Sequence, residues 1–188
     1  MEERWKDAEK LIYTLSDPAT SSNHDCVVVL NEHHAAAYTA DDQIDEGQEM
    51  TIFNYLDKNI KVEVSVVYKD ANLGYLVFKT LNDYEFGLVP DVFEYAYVPK
   101  PYHQLAISNG TFTWSTGRFV KTDKYHIRVF GNTDGMCGDV IFDKYASFVG
   151  IVTKKEDGKI VIVKSEVLYY DIGSGPGDDV ELTESDYI

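Results

Sequence analysis

The sequence predicts an all-β chain: two six-stranded antiparallel β-barrels, a short helix in front and an acidic, disordered tail behind. Three observations carry this prediction. About a dozen short apolar runs are separated by turn residues roughly every 8 to 12 positions. A proline-rich divide lies near the middle, and a single helical period opens the chain. At 188 residues, 44% of them hydrophobic, the chain can bury the core of one double-lobed body.

Taken in order, residues 3–15 place Trp5, Ala8, Leu11, Ile12 and Leu15 at helical spacing, so one amphipathic helix ended by Ser16-Asp17-Pro18 is predicted. Residues 26–30 read as a strand, Asn31 to His34 as a turn and residues 35–40 as the returning strand. Residues 49–55 and 60–68 pair about Leu56-Asp57-Lys58-Asn59, and residues 73–80 follow the turn Asp70-Ala71-Asn72. Pro90, Pro99 and Pro101 mark residues 86–102 as a connection between lobes. Strands at 105–109, 112–121 and 125–130 lead into a glycine-rich loop, and 140–142, 148–153 and 160–168 follow it. From Asp171 the chain is acidic, Gly-rich and free of Lys and Arg, the composition of a disordered tail. The predicted parts are a helix in 1–20, barrels in 21–85 and 103–170, the connection 86–102 and the tail 171–188.

Charge narrows the function. A net charge of −15 without a Lys/Arg cluster argues against nucleic acid, where cations must neutralise phosphates, and against anionic membrane surfaces. No apolar run approaches the roughly 20 residues that span a bilayer. The charged start MEERWKDAEK is unlike a signal peptide, so a cytoplasmic location is expected, and Cys26 and Cys137 fit free thiols in a reducing compartment. His24 and His103 fall in polar segments and read as surface groups; His126 reads as a half-buried strand residue. No metal-ligand spacing and no nucleotide fingerprint occurs, so no cofactor is expected.

The chemistry concentrates at Cys137. Gly135-Met136 precede it and Gly138-Asp139 follow, and glycines flanking a nucleophile let the backbone turn sharply and aim N–H groups at one point. Two short strands, 140–142 and 148–152, follow about a turn at Asp143-Lys144.

This order of loop nucleophile, strand, turn and strand resembles the chymotrypsin-fold proteases, whose viral members often carry Gly-x-Cys-Gly. Asp134-Gly135-Met136-Cys137-Gly138 with Asp143-Lys144-Tyr145 is most similar to the astrovirus-type and picorna-like viral proteases. The resemblance implies a peptide or protein substrate or partner, an oxyanion hole at Gly135 and Met136, and a base and orienter in the first barrel. The base belongs in a motif like Thr-Ala-x-His, where this chain has Thr39-Ala40-Asp41-Asp42; the orienter belongs where Gly74 precedes Tyr75-Leu76-Val77-Phe78-Lys79. Asp42 and Gly74 in those slots imply a degenerate triad, because a carboxylate of pKa about 4 is a poor base toward a thiol of about 8.5. The expected protein is therefore a protease homologue that binds peptide in its interlobe cleft. A different register would assemble His34, Asp70 and Cys137 in the correct chain order, giving an active viral cysteine endopeptidase that processes a polyprotein. The histidine by which some viral relatives select glutamine has no counterpart in residues 149–153.

Overall fold

A computed structural model describes residues 2–20, 25–40, 43–91 and 100–173. Helix α1 (Glu2–Lys10) leads into β1 (Ile12–Thr14), β2 (Cys26–Val29), β3 (His34–Tyr38), β4 (Glu49–Asn54), β5 (Lys61–Asp70) and β6 (Tyr75–Thr80). These six strands close into an antiparallel barrel in the order β1-β2-β3-β6-β5-β4. Strands β7 (Pro101–Ser108), β8 (Thr111–Thr122), β9 (Arg128–Gly131), β10 (Val140–Phe142), β11 (Phe148–Glu156) and β12 (Lys159–Lys164) close a second one, ordered β10-β11-β12-β9-β8-β7. Helix α2 (Ser165–Asp171) ends the described chain. Among the described residues no helix is long and apolar enough to cross a membrane.

Alternation builds the barrels. Val62, Val64 and Val66 of β5 point into the first barrel while Lys61, Glu63 and Val67 face outward, the period of two that a half-buried strand requires. A single buried cluster runs from Val27, Ile52 and Phe78 of the first barrel to Leu105, Phe142 and Ile151 of the second, so the lobes share one packed interface. The second barrel adds its own filling around Tyr102, Phe119 and Ile162.

Three predicted elements differ. The helix expected over residues 3–15 stops at Lys10, because residues 12–14 supply the sixth strand that closes the first barrel, pairing Ile12 with Val28 and Tyr13 with Asn54. The strand expected over 160–168 ends at Lys164. Residues 165–171 turn helical, burying Leu168 and Tyr169 on one face, and the Tyr169 hydroxyl donates to the Leu30 carbonyl. Strand β9 starts at Arg128, three residues late, because the Asp123 carboxylate captures the N–H groups of Ile127 (2.9 Å) and Arg128 (3.2 Å), leaving His126 in a turn at φ +55°. His103 is on β7 rather than in a loop, with its ring 4.4 Å from Trp5 of α1. His24, Asp42, residues 92–99 of the interlobe connection and the tail from 174 lie outside the described residues.

Candidate functional site at Cys137

The loop from Gly131 to Val140 is held from both sides. Gly138 adopts φ +96°, a conformation glycine takes without strain, and its N–H donates to the Val152 carbonyl at 2.7 Å. The Val152 N–H returns to the Asp139 carbonyl at 2.9 Å, so the loop is pinned to β11. Underneath runs a polar chain within the second barrel. The Thr133 hydroxyl contacts the Tyr102 hydroxyl and donates to Gln104 Oε1, each at 2.6 Å; Gln104 Nε2 donates to Asp139 Oδ2 at 2.6 Å. Asp139 Oδ2 also accepts the Met136 N–H at 2.9 Å. Burial raises the Asp139 carboxyl, opposed by these hydrogen bonds and by Lys155. A side chain at Gly135 would meet Gln104 Nε2, 2.0 Å from the Cβ position, and displace it from its hydrogen bond to Asp139.

Cys137 is half-buried and carries a free thiol. Its neighbour is Tyr38, the last residue of β3, whose phenol interacts with the thiol. Burial first, then the interaction with Cys137, holds the Tyr38 hydroxyl above the usual phenol range. A phenol so raised stays protonated at neutral pH and cannot take a proton from a thiol.

The first barrel separates the other predicted residues. His34 begins β3 and Tyr38 ends it, a separation of about 13 Å at strand rise. His34 pairs with Lys79 on β6, whereas Tyr38 pairs with Tyr75 at the other end of that strand. The proposed triad of His34, Asp70 and Cys137 is therefore not assembled. His34 Nδ1 lies 3.0 Å from Asn31 Oδ1, and burial, Lys79 and His33 lower its basicity. Asp70 is at the Tyr38 end but serves its own turn, accepting the N–H groups of Asn72 (3.0 Å) and Leu73 (2.7 Å) through Oδ1 and that of Gly74 (2.8 Å) through its carbonyl. That turn sets Gly74 at φ +84°. A Cβ at Gly74 would lie 3.6 Å from Thr153 Cβ and 3.7 Å from the Tyr38 ring.

Tyr38 is thus near both Gly74 and the Cys137 loop, so the three residues form a line of neighbours. Sequence reasoning missed Tyr38, which reads as an ordinary aromatic strand residue. The predicted oxyanion donors are engaged elsewhere: Gly135 N–H donates to Asp134 Oδ1 at 3.0 Å and Met136 N–H to Asp139. Cys26 is the buried thiol, pushed up to about 12 chiefly by burial, so it is no competing nucleophile.

Beside this line a cleft of about 220 Å³ opens between the lobes, walled by residues 38–40 and 71–74 of the first barrel and by Arg128, Thr153, Lys154 and Val161 of the second. Its cations are partly met, Arg128 by Asp123 at 3.1 Å and Lys154 by Glu156 at 3.6 Å. Among the described residues no cluster of His, Cys, Asp and Glu could hold a metal ion.

Solved structures share this arrangement of barrels. Rv3671c protease of M. tuberculosis H37Rv, in an inactive form, is similar over 93% of both chains, with TM-score 0.63 and 13% identity. The MamO protease domain of Magnetospirillum magneticum gives 0.65 and 11%, over 88% of this chain and 97% of that one. The serine endoprotease of Yersinia pestis gives 0.68 and 10%, over 90% and 64%. The chain has the chymotrypsin fold. No family model matches the sequence, and no curated protein does. At these identities the likeness establishes the protease-like fold alone.

Proposed function

We propose that this chain is a chymotrypsin-fold protease homologue that binds a peptide or protein segment in its interlobe cleft without cleaving it. One observation carries the reading: Tyr38, at the end of β3, packs beside Gly138 next to Cys137, while His34 begins that strand and pairs with Lys79 at the other end, whereas thiol catalysis needs a base at Cys137 able to take the proton. Two others agree with it. Gly74 offers no carboxylate to orient a base, and the Met136 N–H is committed to Asp139 instead of facing an oxyanion. The cleft is walled from both lobes by small residues such as Ala40, Ala71 and Gly74 and by the cations Arg128 and Lys154, a surface to which a peptide can dock.

The alternative, an active viral cysteine endopeptidase with Cys137 as nucleophile and His34 as base, is supported by the half-exposed thiol and by the motifs 134–138 and 143–145. It requires His34 to act on the thiol from a position about 13 Å along β3 from Tyr38. The astrovirus-type affiliation rests on the same motifs.

The test is a peptide array probed with the wild-type protein and with Thr153→Trp and Leu73→Arg, both of which obstruct the cleft. Intact peptides should be retained by the wild type and lost by both variants. Retention unchanged in both variants would place binding elsewhere.

A further inference from the structure

A second concavity lies on the far side of the nucleophile loop's hairpin, where α1 meets the β10–β11 turn. It measures about 380 Å³ and is lined by Arg4, Trp5, Lys144 and Tyr145: two cations, two aromatic rings and no carboxylate. In a chain with 32 acidic and 17 basic residues, two cations from distant parts of the sequence facing one cavity without an acid is an unusual placement. Among the described residues neither has a carboxylate partner; Lys144 Nζ lies over the Tyr145 ring, 4.8 Å from its centre.

Both walls are fixed before any ligand arrives. The Trp5 indole is wedged against His103 (4.4 Å) and Trp114 (4.9 Å), and Trp114 is itself held by its Nε1–H donating to Glu9 at 2.9 Å. Opposite, Asp143 Oδ1 accepts the N–H groups of Tyr145 (2.8 Å) and Ser147 (2.9 Å), locking the turn that projects Lys144 and Tyr145. Tyr145 remains 56% exposed although its backbone is fixed, so its ring is available for stacking. Preformed aromatic faces suit a planar ring, and a guanidinium beside an ammonium suits a phosphate or carboxylate.

We propose that Arg4, Trp5, Lys144 and Tyr145 form a binding site for a small anionic aromatic group, a ring bearing a phosphate or carboxylate. It is separate from the interlobe cleft and independent of whether Cys137 is catalytic.

Of the two tryptophans of the chain, Trp5 lines this site and Trp114 packs against it at 4.9 Å, so intrinsic fluorescence reports on it. The full chain is titrated with phenyl phosphate, inorganic phosphate and phenol, then with O-phosphotyrosine and adenosine monophosphate to separate a phosphorylated side chain from a free nucleotide as source. Saturable quenching is expected, tighter for phenyl phosphate than for either of its halves. Arg4→Ala and Lys144→Ala should each weaken it roughly tenfold, while Lys159→Ala, at the start of β12, leaves it unchanged. Tyr145→Ala should remove the advantage of phenyl phosphate over phosphate alone. Circular dichroism of each variant separates lost binding from lost folding. The proposal is overturned if no anionic aromatic saturates the signal by about 10 mM, or if well-folded Arg4→Ala and Lys144→Ala bind phenyl phosphate as tightly as the wild type.

Discussion

Tyr38 decides what the Cys137 thiol can do. Its ring lies 3.7 Å from the Cβ position of Gly74, its own Cβ packs by Gly138, and its phenol stays protonated at neutral pH, so it is no base for the thiol. Removing the ring in Tyr38→Ala uncovers the sulfur, and alkylation of Cys137 by iodoacetamide in the native protein should accelerate several-fold, with Cys137→Ala as the blank; an unchanged rate would mean that Tyr38 does not cover it. Below the loop, Asp139→Ala would remove the acceptor of the part-buried Met136 N–H and of the buried Gln104 Nε2, which keeps only the Asp134 carbonyl at 3.4 Å. An orphaned buried group costs about 1–3 kcal/mol and a part-buried one less, so denaturant unfolding should show a loss of roughly 1–4 kcal/mol. At this scale the sequence was only partly legible. Cys137 stood out because glycines on both sides have few other uses, and Gly74 because the resemblance fixed its place. Tyr38 was invisible: its role comes from being the last residue of β3 at the point where that strand meets the other lobe, a relation that exists only after folding.

Elements show where local pattern and tertiary context part. The apolar positions of residues 3–15 fit a helix, yet residues 12–14 are taken by the barrel because β1 closes the gap between β2 and β4. Likewise 165–168 continue the apolar run of β12 but bend away as α2, where Tyr169 reaches Leu30 and Asp171 accepts the Tyr75 hydroxyl. Both segments change type because what they pack against lies far away in sequence, which periodicity does not record. The remaining strands were legible for two reasons: β5 alternates between a filled barrel interior and solvent, whereas β2, β10 and β12 are short continuous apolar runs, buried along their length and bounded by turn residues. Closeness of strands yields a sharper prediction at Gly150 on β11, where a Cβ would meet the Val163 carbonyl oxygen at 2.1 Å. Backbone cannot give way as a side chain can, so Gly150→Ala should cost about 1–3 kcal/mol or more in thermal or denaturant unfolding. An unshifted midpoint would contradict the observed β11–β12 approach.

For the whole molecule, the two barrels and their shared core explain how a chain without a matching family model still takes the chymotrypsin fold: the fold asks for alternation, turns and two closures, and the alternation of β5, with Val62, Val64 and Val66 inward, meets it without any fixed residue identity. Stability should also depend on pH through two histidines in different lobes. Burial lowers the basicity of His34 and of His103, the latter opposed by Asp143. A histidine depressed in the folded state binds its proton more tightly when unfolded, so its contribution is complete above the ordinary value of about 6.5 and is lost as pH falls through the folded value. Asp139 and Asp171, raised by burial, act oppositely, losing stability as pH rises through their folded values above about 3.9. The melting temperature of His34→Gln/His103→Gln should therefore fall less than that of the wild type between pH 7.5 and 5.5; parallel curves would refute the assignment. The measurement closest to the central claim is mass-spectrometric analysis of a diverse peptide mixture after long incubation with the wild-type protein and with Cys137→Ala. Identical mixtures, with no cleavage that depends on Cys137, are predicted. Cleavage sites produced by the wild type and absent with Cys137→Ala would show that a base does reach the thiol, and the binding-only account would be wrong.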